Sequence, residues 1–294
     1  MSGLYPLPAV EGFPLLAVEG FRLLALDLDG TSVEGGLLPT PRVVQAVAAA
    51  RERGVLVSLA TGRPYGSASR YARAFGLDTP MICFQGALVK EMAGRHETLF
   101  SEAVAEEPLY EVIEVAEEQG LELTLYSEAS IYLSRMSYPQ AFYDLWFGAA
   151  LQPVNRLADA LALISSEGLV PLKGLFIGEP SANDGLVPEL QARFGERLNV
   201  VRSHPLFVEV TSPRATKGKA LAFLADYCGI PRSATVAVGD SGNDISMVEW
   251  AGLGVAVANA TPDVLAAADW IAPPVSEDGV VSVIERFFLR NGHT

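Results

Sequence analysis

Two aspartates, Asp27 and Asp29, stand where an apolar run ends and a glycine-containing turn begins. The run Leu23-Leu24-Ala25-Leu26 precedes them and Gly30 follows. Carboxylates in such a place can hold a hard cation, attack an electrophile or exchange a proton. Alone the pair is a weak signal, because aspartate and glycine favour turns for purely local reasons.

Three further polar clusters follow the first in the chain. They are Ala60-Thr61-Gly62-Arg63, Thr216-Lys217-Gly218-Lys219 and Gly239-Asp240-Ser241-Gly242-Asn243-Asp244. Magnesium prefers hard oxygen ligands, and Asp27, Asp240 and Asp244 could supply carboxylates. Together the four clusters predict a magnesium-dependent phosphoryl-transfer site.

A phosphoryl group also needs donors and positive charge around its oxygens. Lys217 begins a predicted helix, where its charge adds to free backbone N–H groups. Thr61 can donate its hydroxyl, and Gly62 allows its backbone to approach a phosphate closely. These residues are the candidate phosphate-binding groups.

The elements around the clusters predict a parallel sheet. Residues 21–27 and 55–60 are apolar runs typical of buried strands, and the helix between them starts at Thr40-Pro41 and ends near Gly54. Strand, helix and strand within this length form a βαβ unit. Because Asp27, Thr61 and Asp240 each follow a predicted strand, we expect them at one edge of the sheet, where ligands bind in open α/β folds.

The middle of the chain has a different pattern, with no catalytic constellation of its own. We predict an α/β fold in which residues 21–100 and 206–294 form a Rossmann-like parallel-sheet core. Residues 101–205 form an inserted α+β cap domain. The strand Phe207–Val210 is expected to open the second core segment. Residues 1–20 are interpreted as a mobile N-terminal extension or a mis-assigned start.

Composition excludes some classes of partner. The chain has 294 residues, half of them apolar, and a formal net charge of -14, which repels nucleic acid and anionic lipid. Cys83 and Cys228 read as separate core thiols, so no disulfide framework is expected. No apolar run is long enough for a spanning helix. We expect a cytoplasmic protein, monomeric or a small homo-oligomer, with no nucleic-acid or membrane partner.

The four clusters resemble the four motifs of the haloacid dehalogenase superfamily. The chain resembles in particular its Cof-like phosphatases, which carry a large C2-type α+β cap between the second and third motifs. The resemblance covers about residues 21–290. The short segment between Asp29 and Thr61 and the long one between Thr61 and Lys217 fit a cap in that place.

The resemblance implies a reaction. Asp27 would be the nucleophile that forms an aspartyl-phosphate, and Asp29 the general acid and base. The substrate would be a small phosphorylated metabolite, such as a sugar phosphate, flavin mononucleotide or pyridoxal phosphate. Two alternatives stay open: a phosphomutase of the same superfamily, and a non-catalytic protein that binds phosphorylated metabolites.

The resemblance also implies binding roles. Thr61 and Lys217 would bind the transferring phosphoryl group, and Asn243 would touch phosphate. Magnesium would be held by Asp27, the backbone carbonyl of Asp29, and Asp240, with Asp244 supporting the metal site.

Some positions depart from the pattern or allow two interpretations. Gln85 stands where the family usually has asparagine, and Ser32 where it usually has leucine. Arg63 could bind an anion or pair with a carboxylate. The aromatic segment 138–147 is expected to be cap core rather than a substrate box. A calcium loop starting at Asp27 is excluded, because its sixth residue is Ser32 and not glycine.

Overall fold

The computed structural model describes residues 20–147 and 151–289 of the chain. The β-strands are β1 (Leu23–Leu26), β2 (Leu56–Leu59), β3 (Met81–Cys83), β4 (Leu88–Lys90), β5 (Thr98–Ser101), β6 (Glu122–Tyr126), β7 (Ile131–Leu133), β8 (Leu151–Pro153), β9 (Lys173–Ile177), β10 (Asn199–His204), β11 (Phe207–Thr211), β12 (Thr235–Gly239), β13 (Leu253–Val257) and β14 (Trp270–Ala272). The α-helices are α1 (Pro41–Glu52), α2 (Tyr65–Ala74), α3 (Glu106–Gln119), α4 (Gln140–Trp146), α5 (Leu157–Ser166), α6 (Pro180–Phe194), α7 (Lys217–Tyr227), α8 (Ile245–Trp250), α9 (Pro262–Ala267) and α10 (Gly279–Ile284). The expectation for the N-terminal extension concerns residues 1–20, of which 1–19 lie outside the described residues.

The core is a five-stranded parallel sheet in the order β14-β13-β12-β1-β2. The four residues of β1 are fully buried, because helices cover both faces of the sheet. Leu24 and Leu26 point to one face and pack in a cluster with Val47 of α1. Leu23 and Ala25 point to the other face, where α7 packs. The predicted Rossmann-like parallel core is confirmed.

Helix α1 begins and ends as the sequence predicts. The Oγ1 of Thr40 accepts a hydrogen bond from the backbone N–H of Val43 at 3.3 Å, and Pro41 occupies the first helical position. Gly54 follows the helix with a φ of 82°. A capped start and a glycine stop therefore determine the crossover from β1 to β2.

The cap is built on a six-stranded sheet in the order β10-β11-β9-β6-β7-β8. Helices α3, α5 and α6 cover one face of this sheet through one apolar cluster. The other face turns toward the core, and the ring of Tyr126 on β6 lies 6.0 Å from the ring of Phe84 in the core. Side chains on this second face therefore meet the carboxyl edge of the core sheet.

The predicted boundary at residue 206 is corrected by strand β11. Phe207–Thr211 pairs antiparallel with β9 and β10 in the cap sheet, and does not join the parallel sheet. An isolated apolar strand pattern does not state its partner, and β10 lies directly before β11 in the chain, so a hairpin between them needs only a short connection. The chain returns to the core with α7.

A third, antiparallel sheet, β3-β4-β5, continues the core beyond β2. The backbone N–H of Thr61 donates to the carbonyl of Ile82 at 2.9 Å, which joins β3 to the end of β2. Across residues 20–147 and 151–289, no helix combines the length and the apolar character needed to cross a membrane.

The turn after β3 brings Gly86 against the start of α7. Gly86 has a φ of 95°, and a Cβ there would lie 2.3 Å from the carbonyl oxygen of Thr216. Only glycine combines this backbone conformation with so close an approach. The turn therefore packs directly against Thr216, the residue before Lys217.

We expect Gly86→Ala to destabilise the protein more than Gly54→Ala. Both substitutions place alanine at a positive φ, but a Cβ at Gly54 would meet nothing within 4 Å. The difference in the free energy of unfolding should be about 1–3 kcal/mol, the usual range for overpacking. Urea unfolding of the two variants measures it, and equal losses would contradict the contact with Thr216.

Candidate active site

Three of the predicted site residues follow neighbouring parallel strands. Asp27 comes directly after β1, Asp240 directly after β12, and Thr61 two residues after the end of β2. These strands are adjacent in the order β12-β1-β2, so the three residues meet at the carboxyl edge of the sheet.

A fully buried lysine holds this edge together. The Nζ of Lys217 lies 2.6 Å from Oδ1 of Asp27 and 2.6 Å from Oδ1 of Asp244. Thr216 caps α7 by accepting the N–H of Lys219, which sets Lys217 at the first position of the helix. Burial alone would lower the pKa of Lys217, but Asp244 and Asp27 raise it above its ordinary value, so the side chain stays charged.

Two carboxylates contact the ammonium group of Lys217, and a third, Asp240, lies close to both. Ligand oxygens of Asp27, Asp240 and Asp244 all lie within 4.8 Å of one another. Burial, and then the charge of Asp244, raise the pKa of Asp27 well above its usual range and the pKa of Asp240 from 3.8 to about 6. This excess of close, buried negative oxygen fits a hard divalent cation such as Mg²⁺, which would offset the repulsion.

The loop after β12 is ordered by Asp244. Its Oδ2 accepts the backbone N–H groups of Asp240 and Ser241, each at 3.0 Å. The amide of Asn243 then donates to Oε1 of Gln85 at 2.7 Å. Asp244 therefore orients both the loop after β12 and the side chain of Lys217. Asn243 contacts the turn after β3, which carries Gln85.

The predicted phosphate loop is packed by Gln85. A Cβ on Gly62 would lie 2.3 Å from Nε2 of Gln85, so the glycine makes room for that side chain. The Oγ1 of Thr61 accepts the backbone N–H of Arg63 at 3.1 Å, which closes a tight turn. Gln85, to which the sequence assigned no role, thus lies between the two loops of the site.

Asp29 stands apart from the buried cluster. Its side chain is 44% exposed, and Arg63 holds it with Nε at 2.6 Å from Oδ2 and Nη2 at 2.7 Å from Oδ1. The sequence left open whether Arg63 binds an anion or pairs with a carboxylate, and in the structure it pairs with the carboxylate of Asp29. The pair keeps the partly exposed Asp29 at the rim of the cavity.

A cavity of about 550 Å³ opens over these residues, and the cap forms its other wall. The lining groups contributed by the core include Asp27, Asp29, Thr61, Gly62, Arg63, Gln85 and Asn243. Those contributed by the cap include Tyr126, Trp146, Phe147, Lys173, His204, Phe207 and Glu209. The aromatic segment 138–147 thus serves both uses, with Tyr143 buried in the cap and Trp146 and Phe147 on the cavity wall.

Lys173 and Glu209 are functional candidates that the sequence reasoning missed. Both are buried on the core-facing side of the cap sheet, with Nζ 3.3 Å from Oε1. A signal existed, since each is a charge inside an otherwise apolar strand run, and such charges are buried only when paired. What the sequence lacked was the pairing of β9 with β11.

A family model for haloacid dehalogenase-like hydrolases matches residues 24–284. The chain belongs to this family. The hydrolase is 29% identical over 268 residues to YxeH of Bacillus subtilis, a candidate phosphatase, across 90% of this chain and 97% of that one.

Two solved structures resemble the hydrolase closely. A haloacid dehalogenase-like hydrolase from Bacteroides thetaiotaomicron is 28% identical with a TM-score of 0.79, covering 91% of this chain and 100% of that one. The sugar phosphatase BT4131, of subclass IIB, is 25% identical with a TM-score of 0.73, covering 90% and 98%. The predicted membership among the Cof-like phosphatases is confirmed, and the hydrolase is a phosphatase of this superfamily.

We expect Mg²⁺ to stabilise the folded hydrolase more at about pH 7.5 than at about pH 5. Without metal, Asp240 binds its proton more tightly in the folded than in the unfolded state between pH 3.8 and about 6. The stability that Asp240 contributes is therefore full below this window and is lost as pH rises through it. Because Mg²⁺ binds the deprotonated carboxylate, the stabilisation by Mg²⁺ increases as the pH rises. It reaches about 2.7 kcal/mol when the concentration of Mg²⁺ is one hundred times its Kd.

Thermal unfolding with and without MgCl₂ at the two pH values measures this effect. Asp240→Asn should remove most of the magnesium shift, whereas Asp226→Asn, at an exposed position of α7, should keep it. An equal shift in both variants would place the metal elsewhere.

Proposed function

We propose that this phosphatase hydrolyses small-molecule phosphomonoesters in a magnesium-dependent reaction through an aspartyl-phosphate on Asp27. The observation that carries the proposal is the fully buried Lys217, bonded at 2.6 Å to Asp244 and to Asp27, which lines the cavity. A lysine that only stabilised the fold would not need a third carboxylate, Asp240, within 4.8 Å of the other two. Family membership supports the same reaction class.

The first step forms the covalent intermediate. Lys217 donates to Oδ1 of Asp27 at 2.6 Å, and the other oxygen of this carboxylate, Oδ2, is the one that attacks. Oδ2 forms a bond to phosphorus while the bond from phosphorus to the ester oxygen breaks. Asp29 gives its proton to the departing alcohol, which requires that Asp29 release at least one of its two bonds from Arg63.

The second step regenerates the enzyme. Asp29, now a carboxylate, takes a proton from water as the water oxygen attacks phosphorus. The bond from phosphorus to Asp27 breaks, inorganic phosphate leaves, and Asp29 is again protonated. Thr61, Lys217 and Asn243 hold the phosphoryl oxygens through both steps, with the backbone at Gly62 close by.

Asp27, the backbone carbonyl of Asp29 and Asp240 would hold the magnesium, and Asp244 would support the metal site. When bound, it supplies positive charge that offsets the charge building up on the phosphoryl oxygens. The closeness of the three carboxylate side chains supports this assignment.

The cavity supports a small substrate. Its volume of about 550 Å³ suits a metabolite, and cap aromatic side chains form its wall opposite the reacting groups. The similar structure BT4131 is a sugar phosphatase. We therefore propose sugar phosphates or cofactor phosphates as the substrate class. A cytoplasmic location, a monomer or small homo-oligomer, and the lack of nucleic-acid binding stay predictions.

The first test is phosphate release from a panel of phosphorylated metabolites, with and without Mg²⁺. We expect release only with the metal, and a loss of at least about a thousandfold in Asp27→Asn, because a carboxamide cannot act as the nucleophile. Asp226→Asn is the matched control and should keep full activity. Turnover in ¹⁸O-labelled water should place solvent oxygen in the phosphate; transfer of phosphate to another hydroxyl without that label would instead indicate a phosphomutase.

We expect Asp29→Asn to trap the intermediate. With p-nitrophenyl phosphate the leaving group needs little protonation, so the first step proceeds, but water lacks its general base in the second. Steady-state turnover should fall by about 10²–10⁴, and Asp27 should carry a phosphoryl group detectable by mass spectrometry. Loss of turnover without phosphorylated Asp27 would contradict the role of Asp29 in the second step.

A further inference from the structure

Gln85 joins the two domains by its amide group. The residue is buried in the turn after β3 and has a φ of 59°, which aims its side chain over Gly62. Its Oε1 accepts from Nδ2 of Asn243 at 2.7 Å, and its Nε2 donates to Oε2 of Glu209 at 3.3 Å. One side chain therefore bonds a core loop at one atom and a cap strand at the other.

The cap partner, Glu209, is held in a cluster of hydrogen bonds. Glu209 also accepts from Oγ of Ser203 at 2.6 Å and pairs with Lys173 at 3.3 Å. Lys173 in turn donates to the carbonyl of Gly62 at 3.4 Å and lies 4.8 Å from the ring centre of Tyr126. These bonds to protein groups use most of the hydrogen-bonding capacity of the pair, which favours a positioning role over direct recognition.

The cluster also gives the hydrogen bonds a direction. An ionised Glu209 can only accept, so Gln85 must turn its NH₂ to the cap and its oxygen to the core. Asn243 must then present its own NH₂ to Gln85 and its oxygen to Ser241, whose Oγ lies 2.5 Å away. The carboxylate in the cap thus determines which way the amide of Asn243 faces, three residues from Asp240.

We propose that Gln85 is a positioning residue that couples Glu209 of the cap to Asn243 of the phosphate site. Through this chain, and through the bond from Lys173 to Gly62, seating of the cap orients both loops that surround the phosphoryl group. The inference rests on the proposed function for its catalytic consequence, while the coupling itself concerns phosphate binding.

The test exchanges the amide and the carboxylate of the hydrogen bond between Gln85 and Glu209. Gln85→Glu sets two carboxylates against each other, and Glu209→Gln leaves Lys173 without its charged partner. The double variant restores both an amide-to-carboxylate bond and the neutral total charge of the cluster, and Glu at position 85 can still accept from Asn243. The readouts are the Kd of inorganic phosphate with Mg²⁺, and kcat and KM for p-nitrophenyl phosphate.

We expect each single variant to weaken phosphate binding and lower kcat/KM by about tenfold, the usual effect of losing a hydrogen bond to a charged group. The double variant should return to within about twofold of the wild-type protein. Gln119→Glu is the control, because Gln119 donates to Glu189 at 2.6 Å on the exposed face of the cap, far from the cavity lining. Its kinetics should not change.

Each outcome decides the inference. Single variants at wild-type values, or a double variant no better than the worse single one, would overturn it while leaving an active phosphatase. If the wild-type protein binds inorganic phosphate but does not hydrolyse p-nitrophenyl phosphate, and the variants show the loss and rescue in Kd, the proposed function is refuted and the coupling is supported. A wild-type protein that neither binds nor turns over would overturn both.

Discussion

The ammonium group of Lys217, buried between Asp27 and Asp244, is the interaction on which the rest of the site depends. A buried charge costs several kcal/mol unless it is paired, so the three side chains must be brought together for the core to fold. They come from the end of β1, the start of α7 and the loop after β12. The turn after β3 also packs against this region, because Gly86 lies against the carbonyl of Thr216, the residue before Lys217.

The same interaction leaves the site short of positive charge. Lys217 meets two carboxylates directly, and Asp240 adds a third nearby. Burial, and then the charge of Asp244, raise the pKa values of Asp27 and Asp240. A core selected only for stability would not keep this repulsion. Its presence at the edge where the cap closes over a cavity supports a site that takes up a cation and a phosphate together.

The cap also contributes charged groups to the site, because the face of its sheet that turns toward the core carries charged side chains. One face is sealed by α3, α5 and α6, while the other presents Lys173 and Glu209 to the core. Strand alternation places both on this face, since Glu209 lies opposite Leu175 in the pairing of β11 with β9, and Lys173 is two residues from Leu175. The pair then reaches the core through Gly62 and Gln85.

The amino-acid sequence by itself determined the core strands, the capped helix α1, the insertion of a cap, and the residues Asp27, Lys217, Asp240 and Asp244 as candidates. Apolar runs and helix caps are local signals, and the rule that parallel strands present their carboxyl ends at one edge turns them into a shared site. Only the tertiary structure decided that β11 belongs to the cap, that Arg63 holds Asp29, and that Gln85 bridges the domains. Each of these depends on which distant segments pair and in what register, and a strand of four or five residues has the same pattern whichever sheet it joins.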